Sequence, residues 1–206
     1  MKNIIVAGTG RAGKSTLARK IHDELGYFVI NNDKLVVAFG EAYPQLNIRI
    51  GNGEMNTANI APFLGHFLGL FSSPDGEGLF PFTHGALGNN PFVLEGAHFD
   101  FAQIADILKK YGIRELKERF ILIGLVVGSK SVSSFVGDMK KYDTEFDWTY
   151  GFGEAELSKV AEDSIIYSKQ IAQDLQKYGF RVYDTSIERE QILDRIVAEI
   201  KAQIGE

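Results

Sequence analysis

Short apolar segments alternate with amphipathic segments along this chain of 206 residues. Residues 4–7 (Ile-Ile-Val-Ala) form an apolar run that ends at Gly8, a pattern that predicts a buried strand. From Ser15 to Leu25 the apolar side chains recur at the spacing of one helix face, and Gly26 ends the pattern. Residues 27–30 form a second apolar run. A strand, a helix and a strand in this order predict a βαβ unit with parallel strands.

The same two patterns continue along the rest of the chain. Residues 120–127 are apolar almost throughout, as expected for an interior strand that is covered on both faces. Shorter runs at 92–94 and 181–183 predict two further strands. Helical spacing predicts helices at about 34–39, 57–71, 101–110, 131–141, 154–178 and 187–204. We therefore predict a three-layer α/β fold in which helices cover both faces of a five-stranded parallel sheet.

Composition restricts the class of protein. Hydrophobic residues make up 45% and charged residues 24% of the chain, which is typical of a globular domain. The net charge of −5 gives no general attraction for nucleic acid, and the absence of cysteine excludes disulfides and thiolate chemistry. No apolar run approaches the roughly 20 residues that span a membrane. We expect a cytoplasmic protein with neither a nucleic-acid nor a membrane partner; oligomerisation is left open.

The strongest chemical signal directly follows the first predicted strand. Every fixed position of the phosphate-loop pattern G-x-x-x-x-G-K-[ST] is matched there, by a segment made of Gly8, Thr9, Gly10, Arg11, Ala12, Gly13, Lys14, Ser15 and Thr16. The glycines allow backbone N–H groups to approach phosphate oxygens, and the following helix directs its positive end at the anion. Lys14 supplies a charge to the β- and γ-phosphates, and the Ser15 hydroxyl ligates Mg²⁺. The pattern predicts a P-loop NTPase fold that binds ATP and Mg²⁺.

Beyond this loop, the chain resembles the P-loop nucleoside and nucleotide kinase superfamily, which includes shikimate, gluconate and uridine kinase-like enzymes. The resemblance rests on the loop, on Asp33 after the second strand, on Glu95-Gly96 at the third, and on Asp184-Thr185-Ser186 after the fifth. It implies an enzyme that transfers the γ-phosphate of ATP to the hydroxyl of a small-molecule acceptor.

A Gly- and Pro-rich stretch lies between the second and third predicted strands, at one edge of the carboxyl-end crevice, and the resemblance implies a lid after the fourth strand. Residues 1–206 are expected to form one domain, in which residues 41–91 cover the acceptor and residues from about 138 to 153 form a lid over ATP. The turn of Asp184, Thr185 and Ser186 is expected beside the adenine; the alternative is that this turn caps the last helix.

Asp33 and Glu95 join Lys14 as candidate catalytic residues, because each carboxylate follows or ends a predicted strand at the sheet edge where open α/β folds bind ligands. Asp33 either orients the acceptor hydroxyl and collects its proton or caps the following helix. Glu95 either holds a Mg²⁺-bound water, a role also open to Asp33, or binds substrate; the alternative is a turn carboxylate in solvent. His98 is a candidate for contacting the acceptor, although a lone histidine is more often a packing residue.

Arginine is missing from the region where the resemblance implies a lid. Kinases of this superfamily usually place an arginine there to stabilise the transferring phosphoryl group, but none occurs from 120 to 180. Lys130, Lys140 or Lys141 is the candidate replacement, although lysine lacks the bidentate fork of arginine.

A second gap without arginine runs from 50 to 113, across the predicted acceptor region, and Arg49 is the nearest candidate for substrate binding. An uncharged acceptor, such as a nucleoside or a sugar, is therefore predicted in preference to a nucleotide. Four phenylalanines of this region either stack on a base or belong to the core: Phe63, Phe67, Phe80 and Phe82.

Other classes of function remain as alternatives. The first is an ATP-binding regulatory module with little or no transfer, which the missing lid arginine favours. The second is a kinase-like toxin or a tRNA-modifying kinase, which the lack of a basic face disfavours. A GTPase is disfavoured, because Lys140-Lys-Tyr-Asp143 lacks the Asn or Thr that begins a guanine-reading sequence.

Overall fold

Strands and helices alternate along the computed structural model, which describes residues 2–49, 52–72, 91–145, 147 and 149–205. The strands are Asn3–Gly8 (β1), Phe28–Asn31 (β2), Phe92–Gly96 (β3), Phe120–Val126 (β4) and Arg181–Asp184 (β5). The helices are Lys14–Leu25 (α1), Asn32–Ala42 (α2), Gly53–Ser72 (α3), Phe101–Leu108 (α4), Val132–Tyr142 (α5), Glu154–Lys177 (α6) and Arg189–Gly205 (α7). Short 3₁₀ turns occur at Pro44–Leu46, Lys109–Tyr111 and Leu116–Glu118.

The sheet formed by these strands is parallel throughout and has the order β2-β3-β1-β4-β5. Strand β1 is central, and its Val6 lies opposite Glu95 on one side and Ile123 on the other. Because all strands run in one direction, their carboxyl ends share one edge of the sheet. The phosphate loop therefore begins beside the ends of β3 and β4.

Alternate side chains of β1 enter two different hydrophobic layers, as the period of a strand requires. Ile4 and Val6 are fully buried with helices α1 and α7, whereas Ile5 and Ala7 face helices α3 and α4. The first layer includes Leu17, Ile21, Leu193, Ile196 and Val197; the second includes Ile60, Leu64, Leu68 and Ile104. This two-sided burial confirms the three-layer α/β fold predicted from the sequence.

The position of each strand in the sheet explains its composition. All seven residues of β4 are buried, which confirms the prediction of an interior strand covered on both faces. Strand β2 lies at one edge of the sheet, and its Phe28 is 66% exposed. Tyr27 was predicted to begin this strand but precedes it; its ring is fully buried, and its hydroxyl donates to the Lys2 carbonyl oxygen at 3.0 Å.

Several helix bounds differ from the sequence prediction, and at the start of α2 a side chain explains the difference. Helix α2 begins before the predicted start because the Asn31 side chain accepts a hydrogen bond from the Lys34 backbone N–H at 2.7 Å. The alternative in which Asp33 caps this helix is therefore wrong. Helix α3 is longer than predicted and contains Pro62 in its interior. Among the described residues, no helix has the length and apolar character needed to cross a membrane.

Candidate nucleotide and acceptor site

The phosphate loop is formed by backbone geometry that requires glycine at its start. Gly8 has a φ of 136°, and a Cβ atom there would lie 1.9 Å from the Leu125 carbonyl oxygen. The next residue, Thr9, donates its backbone N–H to that same oxygen at 3.1 Å. These contacts fix the loop against the end of β4 and direct it into helix α1.

Lys14 lies within the loop and is only 7% exposed. Its ammonium donates to the Thr9 carbonyl oxygen at 2.7 Å. Burial lowers the pKa of Lys14, and the nearby Asp33 and Glu95 carboxylates partly oppose this effect. A bound triphosphate would add negative charge beside the ammonium and favour its protonated form.

Glu95 forms a small polar network with residues from two other elements. The Ser15 hydroxyl donates to a Glu95 carboxylate oxygen at 3.1 Å, and the Asn31 amide donates to the same oxygen. Glu95 is 2% exposed, so the alternative of a turn carboxylate in solvent is wrong. The sheet register explains the contact, because Asn31 lies directly opposite Glu95 on the neighbouring strand.

The hydroxyl and carboxylate of this network are hard oxygen donors of the kind that Mg²⁺ prefers. The described residues contain no cluster of three or more His, Cys, Asp or Glu side chains suited to enclose a metal. A magnesium ion held here would therefore depend on phosphate and water oxygens as well, which is the usual arrangement for Mg²⁺ in nucleotide sites. Ser15 and Glu95 fit such a site.

Asp33 is in the first turn of α2, at the carboxyl end of β2. Its carboxylate accepts the backbone N–H of Ala97 at 3.0 Å, which joins it to the segment that follows β3. An ideal Cβ atom at Gly96 would lie 2.9 Å from a carboxylate oxygen of Asp33, and Gly96 lies opposite Ala7, the residue that precedes the phosphate loop. Lys14, Asp33 and Glu95 thus converge on one edge of the sheet, although they are far apart in sequence.

His98 and Arg49 have different surroundings. The His98 ring nitrogen Nδ1 lies 3.2 Å from the Thr57 hydroxyl of α3, and its carbonyl oxygen accepts the Asn32 amide at 2.7 Å. Arg49 is exposed, and its backbone forms two hydrogen bonds with the Asn56 side chain. His98 therefore lies close to the candidate site, whereas the contacts of Arg49 anchor the chain just before α3.

A cavity of about 330 Å³ lies beside the start of the loop. It is lined by Ala7 and Gly8 at the end of β1, by Thr57 of α3, by residues of the 97–102 segment, and by the second half of α6 together with Tyr178. Most of the wall is apolar or aromatic: Phe99, Phe101, Tyr167, Ile171, Leu175 and Tyr178. Its charged lining residues are Asp100, Asp174 and Lys177, and Lys177 is paired with Asp174 at 2.7 Å.

Phe63 and Phe67 do not line this cavity. They belong to an aromatic cluster on α3, with ring centroids 4.5 Å apart for Phe39 and Phe63 and 5.5 Å apart for Phe67 and Phe92. Both side chains pack against the second hydrophobic layer. Phe80 and Phe82 lie outside the described residues.

The lysines considered as replacements for a lid arginine are engaged by local partners. Lys130 pairs with Asp138, and Lys140 pairs with Glu154 at 2.9 Å. Lys141 is exposed, and its ammonium lies 4.7 Å from the centre of the Tyr142 ring. None of these contacts reaches the phosphate loop.

The turn after β5 is tied to the phosphate loop. The Thr185 hydroxyl donates to the Ala12 carbonyl oxygen at 2.9 Å. Burial alone would raise the pKa of Asp184, but hydrogen bonds from Ser186 and Ser129 outweigh burial and lower it. Because the Asp184 carboxylate binds these two residues, it holds the turn against the segment after β4; no cap of α7 by this turn occurs in the described contacts.

Comparison with known proteins shows what this fold is similar to. No family model matches the chain, and no curated protein sequence matches it. Among solved structures, shikimate kinase from Bacteroides thetaiotaomicron is 12% identical, with a TM-score of 0.59 over 100% of this chain and 99% of that one. Shikimate kinase from Acinetobacter baumannii, in complex with shikimate, is 15% identical, with a TM-score of 0.57 over 98% and 94% of the two chains.

A sugar kinase from Janibacter sp. HTCC2649 is similar to the same extent, with 15% identity, a TM-score of 0.54, and coverage of 98% of this chain and 95% of that one. At these identities the likeness establishes the fold alone. The chain has the P-loop kinase fold, so the resemblance stated from the sequence is confirmed at the level of the fold.

Several residues of the site have no distinct sequence signal. Asn31 precedes a helix, and its residue type is a recognisable cap, but its bond to Glu95 depends on strand pairing. Thr57 lines the cavity from α3 and Tyr178 lines it from the residue directly after α6, and the periodicity of these two helices indicates only packing. No pattern in the sequence would have selected these positions.

Proposed function

We propose that this protein is an ATP-dependent small-molecule kinase that transfers the γ-phosphate of ATP to a hydroxyl of an uncharged acceptor, such as a nucleoside or a sugar. The observation that carries the proposal is the convergence of Lys14, Asp33 and Glu95 on the phosphate loop, next to a cavity of about 330 Å³. The P-loop kinase fold supports it.

In the proposed mechanism the loop amides and Lys14 hold the β- and γ-phosphates. A magnesium ion, held by Ser15 and through water by Glu95, would neutralise part of the charge on the phosphates. Glu95 is well suited to this role because it is buried and already accepts the Ser15 hydroxyl at 3.1 Å.

Asp33 is proposed as the group that orients the acceptor hydroxyl. The hydroxyl oxygen attacks the γ-phosphorus, the bond from phosphorus to the β,γ-bridging oxygen breaks, and ADP leaves. The hydroxyl proton passes to the Asp33 carboxylate. The bond from Ala97 to Asp33 supports this assignment, because Ala97 also lines the cavity.

The cavity supports an uncharged acceptor. Its described lining offers two carboxylates and one ammonium, and that ammonium is already paired with Asp174. A phosphorylated or carboxylated acceptor would meet net negative charge there without a free cation to balance it. Aromatic and aliphatic walls instead suit the face of a base or a sugar ring.

Two segments are proposed to enclose the reactants. Residues 41–91 would cover the acceptor, and residues from about 138 to 153 would form the lid over ATP. Exclusion of water by these segments would protect ATP from hydrolysis.

The deciding experiment is to measure ADP formation with Mg²⁺ and ATP against nucleosides, nucleoside monophosphates, sugars and carboxylated polyols. We expect an uncharged member to stimulate turnover. Stimulation by a monophosphate alone would contradict the argument from cavity charge. Tight ATP binding without stimulation by any acceptor would favour the alternative of a regulatory ATP-binding module.

Asp33→Asn tests the assignment of the proton acceptor. We expect ATP affinity to change little and kcat to fall by roughly 10²–10⁴-fold, the usual contribution of a positioned acid–base group. Glu41→Gln serves as the matched control, because it also replaces a carboxylate by an amide, at an exposed position at the other end of α2. An unchanged kcat in Asp33→Asn would remove Asp33 from the mechanism.

A further inference from the structure

Arg11 connects the phosphate loop to the segment between α5 and α6. Its guanidinium forms a two-pronged ion pair with Asp143, in which the Nη2 to Oδ2 distance is 3.0 Å. It also donates to the Thr149 hydroxyl, and Asp147 lies 3.6 Å away. One side chain of the loop is thus held by three described residues of the α5–α6 connection.

Two of the three partners of Arg11, Asp143 and Thr149, are largely shielded from water, whereas the Asp147 side chain is 39% exposed. The Asp143 side chain is 7% exposed, the Arg11 side chain is 23% exposed and Thr149 is 1% exposed. The Thr149 hydroxyl also donates a hydrogen bond to the Asp143 carboxylate, so the carboxylate that pairs with Arg11 is itself held in place. A bidentate arginine–carboxylate pair with this degree of burial has a far more defined geometry than a typical surface pair.

The backbone of Arg11 is in an unfavourable region. Its φ of 61° is in the left-handed region, which a long side chain seldom occupies. Such a conformation persists where surrounding contacts determine it, and it is frequent at functional sites. The ion pair with Asp143 is the contact that holds the Arg11 side chain in this position.

A second link joins the loop to the same part of the fold. Ser168 of α6 is fully buried, and its hydroxyl donates to the Thr9 hydroxyl at 3.1 Å. Ser168 also accepts the Val127 backbone N–H at 3.2 Å. The loop is therefore anchored at Thr9 to α6 and at Arg11 to the connection that precedes α6.

We propose that Arg11 is a positioning residue that ties the α5–α6 connection to the phosphate loop through Asp143 and Thr149, and that this contact slows the release of bound nucleotide. The arginine of this contact belongs to the loop, because the α5–α6 connection contains no arginine. The inference rests on the proposed function in one respect, namely that the loop binds ATP.

The test is the dissociation rate of a fluorescent ATP analogue with Mg²⁺, measured by stopped flow. We expect Arg11→Ala and Asp143→Asn each to accelerate dissociation by about tenfold or more, as loss of a charge-assisted hydrogen bond implies. The double variant is expected to dissociate no faster than the faster single variant, because both changes remove the same contact. Lys20→Ala is the matched control, since it breaks the ion pair between Lys20 and Asp194, at 2.6 Å, away from the loop.

A purely structural role gives a different result. In that case Arg11→Ala lowers the melting temperature while the dissociation rate stays within about twofold of the wild type, and the proposal is overturned. Independent, additive effects of the two single variants also overturn it. If Arg11→Ala does not fold, Thr149→Val removes one hydrogen bond to the guanidinium and retains the ion pair. We then expect roughly threefold faster release, and an unchanged rate contradicts the proposal.

The dissociation assay separates this inference from the proposed kinase activity, because it needs no acceptor. A wild-type protein that binds ATP but phosphorylates nothing contradicts the kinase proposal and leaves the dissociation test valid. A wild-type protein that does not bind the ATP analogue overturns both.

Discussion

The phosphate loop and the neighbouring cavity are assembled in opposite ways. The loop is formed by one continuous segment, in which Gly8 fixes the turn and Lys14 follows within the same few residues. The cavity is formed by the end of β1, by Thr57, by the 97–102 segment and by the second half of α6. The loop is therefore specified by a local sequence pattern, whereas the cavity forms only when distant segments pack together.

This difference explains why the two regions reveal different amounts about function. A local segment with fixed glycine, lysine and hydroxyl positions has one chemical use, and backbone groups perform most of it. The cavity presents ordinary apolar side chains whose identity is compatible with many ligands. Nucleotide binding is therefore the specific part of the proposal, and the acceptor is defined only by charge and shape.

The largest expected effect comes from replacing the first glycine of the loop. Gly8→Ala places a Cβ atom 1.9 Å from the Leu125 carbonyl oxygen and forces an alanine into a φ of 136°. We expect a loss of about 3 kcal/mol or more in the free energy of unfolding, together with loss of ATP binding. Chemical denaturation measures the first quantity and titration with ATP measures the second.

Gly10→Ala is the matched control for stability, because a Cβ atom at Gly10 would meet nothing within 4 Å. Its free energy of unfolding should stay within about 1 kcal/mol of the wild type. Equal stability of both alanine variants would show that the contact with Leu125 does not constrain the loop.

The next effect separates charge from the fold of the loop. Lys14→Met retains the aliphatic stem and removes the ammonium, which leaves Asp33 and Glu95 without their neighbouring cation. We expect transfer to fall by at least roughly 10³-fold, consistent with removal of a group that stabilises the transferring phosphoryl group. Turnover is compared with Arg19→Met, an exposed position on the same helix. Comparable activity of the two variants would remove Lys14 from the mechanism.

A smaller and more selective effect is expected at the cavity. Ala102→Phe introduces a ring at an exposed lining position, and should raise the KM for the acceptor by about tenfold while ATP affinity stays unchanged. The same substitution at the exposed Ala202 of α7 is the control. A weaker ATP affinity with an unchanged acceptor KM would mean that the cavity belongs to the nucleotide and not to the acceptor.

The sequence was informative about the location of a candidate site residue where that residue lies at the carboxyl end of a predicted strand, because these ends share one edge of the sheet. Asp33 and Glu95 were selected because they follow or end apolar runs, and the sheet places both near Lys14. Lys140 and Lys141 were selected by location and by charge alone, but both lie on the surface with local partners. The presence of a charged residue in a sequence does not show which way its side chain points in the fold.

For Arg11 the sequence indicated a place in the phosphate loop but not the residue with which it pairs. Its place in the loop was evident, but its partner Asp143 lies 132 residues further along the chain. The segment predicted to form the lid has no arginine of its own, whereas the structure brings Arg11 to that segment from the loop. Pairings over such distances are set by the packing of helices and strands, not by local spacing.

The sequence by itself determined the alternation of strands and helices, the buried character of β4 and the phosphate loop, because each depends on neighbouring residues and on the periods of regular structure. Tertiary structure decided the strand order, which sets Glu95 opposite Asn31, and the union of Arg11 with Asp143 and Thr149. It also decided the shape and charge of the cavity. These features depend on which segments, remote in sequence, meet at one edge of the sheet. The strand order and the helix packing that bring them together are those that bury both faces of the sheet.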